Sequence, residues 1–145
     1  MYKIVVVGTD GTSTADIAVQ AAADIARSWG SELHIVTATR APSKAMGSAA
    51  GAGLVDSGAS SALADEAAHH VGERAVADFG SGLQVQLHSA QGNADDVILR
   101  TAADLGADLI VVGSKGMRGA RRYLGSVPNS VAHGAHCAVL IVKTA

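Results

Sequence analysis

The sequence predicts an α/β fold with an open parallel sheet and helices on both faces. Two observations predict it. Short, unbroken apolar runs rich in β-branched residues are typical of strands covered on both faces, and the stretches between them carry apolar residues at helical spacing. Strands that alternate with helices pair in parallel through right-handed crossovers. The 145 residues fit one domain, placed over residues 1–145, with a real hydrophobic core.

Five segments have the character of strands. Residues 4–7, 109–112 and 139–142 are continuous apolar runs, and each is predicted to be an inner strand. Residues 33–38 form a fourth, mostly apolar run. Over residues 83–88 apolar and polar side chains alternate, which predicts an edge strand with one face in water.

Two long helices are predicted in the first half of the chain. The first is capped by Thr12 or Ser13 and ends before Gly30, in line with the usual boundary residues of helices. Its predicted apolar stripe consists of Ala18, Ala21, Ala22, Ile25 and Trp29. The second helix covers about residues 61–79, and its predicted stripe consists of Leu63, Ala67, Val71 and Val76.

Two shorter helices are predicted in the second half. One is capped by Asn93 and ends at Gly106. The other spans residues 126–134, with Pro128 in its first turn, where a missing N–H costs nothing. Residues 41–61 contain 15 Ala, Gly or Ser among 21 positions and are predicted to form a mobile loop.

Composition excludes several classes of function. Apolar residues make up 48% of the chain, yet no apolar run approaches the ~18 residues that span a bilayer. The N-terminal run is too short for a signal peptide, so we expect a cytoplasmic protein without a membrane partner. The single cysteine, Cys137, excludes an internal disulfide and cysteine-based zinc sites within one chain. Only four aromatic residues argue against base-stacking surfaces, and no nucleic-acid partner is predicted.

Charge is unevenly distributed along the chain. The formal net charge is −2, but no acidic residue follows Asp108 and residues 109–145 carry a net charge of +5. Four of these basic residues fall within a short stretch: Lys115, Arg118, Arg121 and Arg122. The stretch is either a solvated basic face or a segment that binds an anion.

The carboxyl ends of the strands carry the candidate chemistry, because ligands bind there in open α/β sheets. The segments concerned are 8–11, 37–39 and 113–116. Glycines in the last segment allow the backbone to approach a ligand closely, and the helix start at Ser126 favours a phosphate. Ser126 either donates to that phosphate or only caps its own helix. The pattern matches neither a P-loop nor the dinucleotide fingerprint.

These motifs resemble those of the universal stress protein family. The resemblance is carried by residues 5–11, 111–116 and 125–127 together with the last strand, and it covers essentially the whole chain. It implies a five-stranded, Rossmann-like parallel sheet in the order 3-2-1-4-5. Nucleotide-binding members of that family have nine residues between the second and third glycines of their phosphate motif. Here eight residues separate Gly116 from Gly125, which bears on how the phosphate loop closes.

The resemblance also implies contacts to an adenine nucleotide. Asp10 corresponds to an acidic residue near the ribose or a phosphate-bound metal such as Mg²⁺, and the alternative is that it braces the loop. Ala38 corresponds to a position whose backbone contacts the adenine edge. The complete set of predicted binding residues is Gly8, Thr9, Asp10, Ala38, Val112, Gly113, Lys115, Gly116, Arg118, Gly125, Ser126 and Val127.

We therefore predict an adenine-nucleotide-binding stress-response protein that acts as a sensor or carrier of nucleotide state. ATP is the first ligand, and cyclic AMP or AMP is the alternative, since the resemblance includes actinobacterial members that prefer cyclic AMP. No nucleophile, base and orienting acid occur together at recognisable spacing, so at most a weak ATPase is expected. The alternatives are a dimeric scaffold without nucleotide binding and a slow ATPase with Mg²⁺ at Asp10.

A homodimer through Ala138 to Val142 is predicted as well, because the implied strand order places this apolar segment at a sheet edge. A metal shared by His133, His136 and Cys137 is not favoured, since adjacent residues of a strand face opposite ways. His69 and His70 are interpreted as residues on a helix surface. Asp95 and Asp96 are interpreted as residues of the first turn of their helix, where the helix dipole favours acidic side chains.

Overall fold

The computed structural model describes residues 1–39, 57–114 and 126–144. Five strands form one parallel sheet in the order β3-β2-β1-β4-β5, which confirms the fold class and the implied strand order. The strands are β1 Ile4–Gly8, β2 Glu32–Thr39, β3 Val85–Gln91, β4 Leu109–Gly113 and β5 Ala138–Val142. The helices in the described ranges are α1 Ser13–Trp29, α2 Ser57–Phe79, α3 Ala94–Leu105 and α4 Val127–Gly134.

Helices cover both faces of the sheet. On the central strand β1, Val5 and Val7 face α1 and α2, whereas Val6 faces α3 and α4. All three valines are fully buried, which explains the continuous apolar run in their sequence. At the N-terminal end of β1, the Asp108 carboxylate accepts hydrogen bonds from the backbone N–H groups of Lys3 and Ile4. These bonds stabilise the carboxylate and lower the pKa of Asp108.

Helix boundaries follow the predicted capping residues, with one exception. Thr12 caps α1 by accepting a hydrogen bond from the N–H of Ala15 at 3.3 Å. Gly30 ends α1 in the left-handed region, at φ 63°. Asn93 occupies the N-cap position of α3, but its side chain makes no capping bond and instead donates to the Asp96 carboxylate at 3.4 Å.

The buried faces of α1 and α2 differ from the predicted stripes. Trp29 is 52% exposed and Leu63 is 67% exposed, although both were predicted to face the core. On α1 the predicted Ala18 and Ala22 are buried, and they are joined by Val19, Ala23 and Ala26; on α2 the buried residues include Ala68 and Ala75. Small alanine side chains allow these helices to approach the sheet closely, and the bulkier Trp29 and Leu63 lie outside that contact.

Two further predictions are corrected by the structure. Residues 57–61 were assigned to a loop and belong to α2, because an Ala- and Ser-rich composition is also compatible with a helix start; residues 41–56 lie outside the described residues. The last apolar run was predicted to be an inner strand, but β5 lies at an edge of the sheet. Leu140 on β5 is 37% exposed. Within the described ranges, no helix has both the length and the apolar character needed to cross a membrane.

Candidate functional site

A cleft of about 160 Å³ opens at the carboxyl ends of β1, β2 and β4. Seven of the predicted binding residues line it: Gly8, Thr9, Asp10, Ala38, Val112, Gly113 and Val127. Ser126 directly precedes this lining and is buried. The remaining predicted residues lie outside the described residues: Lys115, Gly116, Arg118 and Gly125. The structure therefore brings together the described part of the predicted site.

The turn between β1 and α1 is held by its own polar side chains. The N–H of Thr9 donates to the carbonyl of Val36 at 3.0 Å, which ties the turn to β2. Thr9 Oγ1 accepts from the N–H of Gly11 at 3.1 Å. Asp10 Oδ1 accepts from both the N–H of Thr12 at 3.0 Å and its hydroxyl at 2.6 Å. Asp10 thus braces the loop that opens α1, which is the alternative considered for this residue.

The two cleft glycines that the structure describes have packing partners within the protein. A Cβ added at Gly8 would lie 2.5 Å from Cδ1 of Ile98. A Cβ added at Gly113 would lie 2.9 Å from Cγ2 of Thr144. Real Cβ atoms essentially never show such distances, so alanine at either position would force the neighbouring side chain to shift, whatever the cleft contains.

Ser126 has the geometry of a helix cap. It precedes α4 with extended backbone angles, and its hydroxyl oxygen accepts a hydrogen bond from the N–H of Asn129 at 3.4 Å. This distance is longer than that of a typical N–H···O bond. Val127 and Pro128, the first two residues of α4, line the cleft. The capping alternative is therefore present, and the start of α4 still faces the site.

The helix N-termini beside the cleft favour an anionic group, whereas the carboxylate of Asp10 opposes one. Three helices begin beside it: α1 through Thr12 and Ala15, α3 through Ala94, and α4 through Val127. Helix N-termini carry partial positive charge and unpaired N–H groups that stabilise anions. Asp10 is the ionisable side chain among the described lining residues. The acid-free sequence 115–125 connects β4 to α4 and carries four basic residues.

Sequence reasoning missed several cleft residues, among them Val36, Ala94 and Ile98. In a doubly wound sheet, helices begin at the carboxyl edge of the strands, so the first turn of α3 was a foreseeable contributor. Ile98 lies one turn further along α3 and is buried against Gly8. The apolar residues Val36, Ala38 and Val112 provide a surface for a flat, weakly polar group.

The weaker candidates lie outside this cleft. His69 and His70 are exposed on α2, where both contact Glu73. Burial and the nearby Asp108 raise the pKa of the Cys137 thiol, so Cys137 is not an activated nucleophile. Among the residues that the structure describes, no three or more His, Cys, Asp or Glu side chains come together in a way that could hold a metal ion.

Comparison with known proteins identifies the family. The model described as the universal stress protein family matches residues 1–143. The chain belongs to the universal stress protein family. Universal stress protein Rv1636 of Mycobacterium tuberculosis (strain ATCC 25618 / H37Rv) is 35% identical over 154 aligned residues, which cover 99% of this chain and 97% of that protein. Universal stress protein A homolog 2 of Coxiella burnetii is 50% identical over 52 residues, 36% of each chain.

The fold is shared with solved structures of this family. A universal stress protein in complex with cAMP is 30% identical in sequence and has a TM-score of 0.79. The comparison covers 99% of both chains. The family likeness therefore extends over the whole sheet and its helices, including the elements that form the cleft.

Proposed function

We propose that this protein binds an adenine nucleotide, ATP or cyclic AMP, and acts as a sensor or carrier of nucleotide state in a stress response. The observation that carries the proposal is the single cleft into which the fold brings seven of the residues that the family resemblance assigns to nucleotide contacts. The 30% identical universal stress protein in complex with cAMP supports an adenine nucleotide as the ligand.

The walls of the cleft suit the parts of such a ligand. Val36 and Val112 offer apolar contact to a base, and Ala38 lies near the carboxyl end of β2, where its backbone can contact the base edge. The start of α4 at Val127 suits a phosphate. For ATP, Asp10 is the lining carboxylate suited to a phosphate-bound Mg²⁺, since Mg²⁺ prefers oxygen ligands.

A filled-cleft variant tests the site. Ala94→Leu enlarges a side chain that lines the cleft, at a position where leucine is compatible with a helix. The matched control is Ala103→Leu, because Ala103 lies on the same helix and lines a separate cavity beside Cys137. In calorimetric titrations we expect Ala94→Leu to weaken ATP or cyclic AMP binding by at least about tenfold, equivalent to 1.4 kcal/mol. The control should bind like the wild type; equal affinities of the two variants would refute the site.

Mass spectrometry of the purified protein separates this function from its two alternatives. Nucleotide that co-purifies unchanged supports binding without turnover. Accumulation of ADP over time supports a slow ATPase. A protein that neither co-purifies with nucleotide nor takes it up on titration is the scaffold, and the proposal is then wrong.

We further propose that the protein is a homodimer joined through β5. This strand is at the end of the sheet and pairs with β4 alone among the described strands. It is apolar, and Leu140 remains 37% exposed. An apolar strand with an unpaired edge favours association with a second copy. Light scattering at micromolar concentration should show a dimer, and a monomeric wild type would contradict the interface.

A further inference from the structure

We infer that Arg74 on α2 is a positioning residue for the turn that faces the nucleotide cleft, an inference that rests on the proposed function. No described residue of α2 lines the cleft. Nevertheless, Val71 and Arg74, which are three positions apart on this helix, both meet Gly11 in the turn between β1 and α1. α2 therefore contacts this turn from the side of an adjoining cavity, which Val71 lines together with Thr9, Asp10 and Ala38.

The polar contact is made by one nitrogen atom. Arg74 Nη2 donates to the carbonyl oxygen of Gly11 at 3.0 Å and to Oδ1 of Asp16 at 3.0 Å. Gly11 belongs to the turn, and Asp16 lies in the first turn of α1. A single guanidinium group thus ties both the turn and the helix start to α2, although 63 residues separate Arg74 from Gly11 in the chain.

The packing contact is made at the same residue of the turn. Gly11 has φ 79°, in the left-handed region that favours glycine. A Cβ at this position would lie 2.9 Å from Cγ2 of Val71, so the turn backbone lies directly on α2. Val71 limits how far the turn can move toward α2, and Arg74 limits how far it can move away.

Thr9 and Asp10, in the same turn as Gly11, line the cleft. If Arg74 is lost, the Gly11 carbonyl loses its side-chain donor and the turn populates further conformations. A ligand that requires one conformation then binds with an apparent affinity that falls in proportion to the fraction of molecules in that conformation. Arg74 is 47% exposed at its side chain, and exposed ion pairs contribute little to global stability. An effect on binding is therefore separable from an effect on folding.

Arg27 supplies a matched control. It also links α1 to the end of α2, by donating to the carbonyl oxygens of Phe79 and Ser81, and it does not line the cleft. We expect Arg74→Met to accelerate amide hydrogen exchange at Gly11, whereas Arg27→Met leaves that exchange unchanged. This measurement needs no nucleotide. Unchanged exchange at Gly11 in Arg74→Met overturns the positioning role, whether or not the wild type binds nucleotide.

The effect on binding is measured by titrating ATP and cyclic AMP into the same proteins. We expect Arg74→Met to weaken the affinity about two- to fivefold, the range that one exposed ionic contact supports, and Arg27→Met to bind like the wild type. Arg74→Lys should recover part of the loss, because both bonds come from one nitrogen and an ammonium group also carries several donors. Accelerated exchange with unchanged affinity overturns the role of Arg74 in binding. A wild type that binds no adenine nucleotide overturns the proposed function instead.

Discussion

Gly8→Ala adds one methyl group at the floor of the cleft, where β1 meets α3. The new carbon would lie 2.5 Å from Cδ1 and 3.2 Å from Cγ1 of Ile98, which is 4% exposed, so this side chain must shift to accept it. Overpacking of this kind costs about 1–3 kcal/mol. The lower backbone entropy of alanine in the unfolded chain offsets about 0.4–1 kcal/mol. We therefore expect Gly8→Ala to lower the free energy of unfolding by about 1–2 kcal/mol.

A compensating change isolates the contact. Ile98→Val removes Cδ1, the closer of the two atoms, and by itself costs about 0.5–1.5 kcal/mol. In the double variant the methyl group at position 8 occupies the space that Cδ1 leaves. The combined loss should therefore be smaller than the sum of the two single losses, by about 1 kcal/mol.

Urea unfolding of the four proteins in this cycle measures the coupling, provided that the dependence of the free energy on urea concentration stays constant. Additivity within about 0.3–0.5 kcal/mol would refute the argument that Ile98 is the reason for glycine at position 8. Titration with ATP adds a second result. If a nucleotide also approaches Gly8 closely, the double variant recovers stability but not affinity.

Three further outcomes are expected. Burial, and then the neighbouring His34, lower the pKa of His88 below its ordinary value of 6.5. As the pH falls, His88 is therefore protonated in the unfolded chain before it is protonated in the folded one. The free energy of unfolding measured in urea should decrease below about pH 6.5, and the decrease should be smaller in His88→Gln. Leu140→Lys should shift the dimer toward monomer in light scattering, whereas Leu63→Lys, at an exposed position on α2, should not. The affinities for cyclic AMP or AMP should lie within about tenfold of the affinity for ATP. One residue inserted after Arg122 should shift the preference toward ATP. A wild-type preference for ATP above about a hundredfold, unchanged by the insertion, would show that the short spacer is irrelevant.

Local sequence was sufficient to predict the strands and the order of elements. A strand covered on both faces must be apolar along its whole length, so residues 4–7 and 109–112 could be recognised without any partner. The cleft was also predictable in outline, because parallel strands place their carboxyl ends at one edge. Residues that follow different strands at that edge, such as Asp10 after β1 and Gly113 at the end of β4, therefore had to lie close together.

The tertiary structure alone decided which contacts these residues make. The backbone at Gly8 packs against Ile98, far along the chain, and the carbonyl of Gly11 accepts a hydrogen bond from Arg74. His88 was predicted on the wet face of an edge strand, yet its Nε2 lies 2.8 Å from Nδ1 of His34, which is 1% exposed. Periodicity reports how each segment divides between core and water. It contains no information on which distant side chain fills the space opposite, because that depends on how the elements pack against one another.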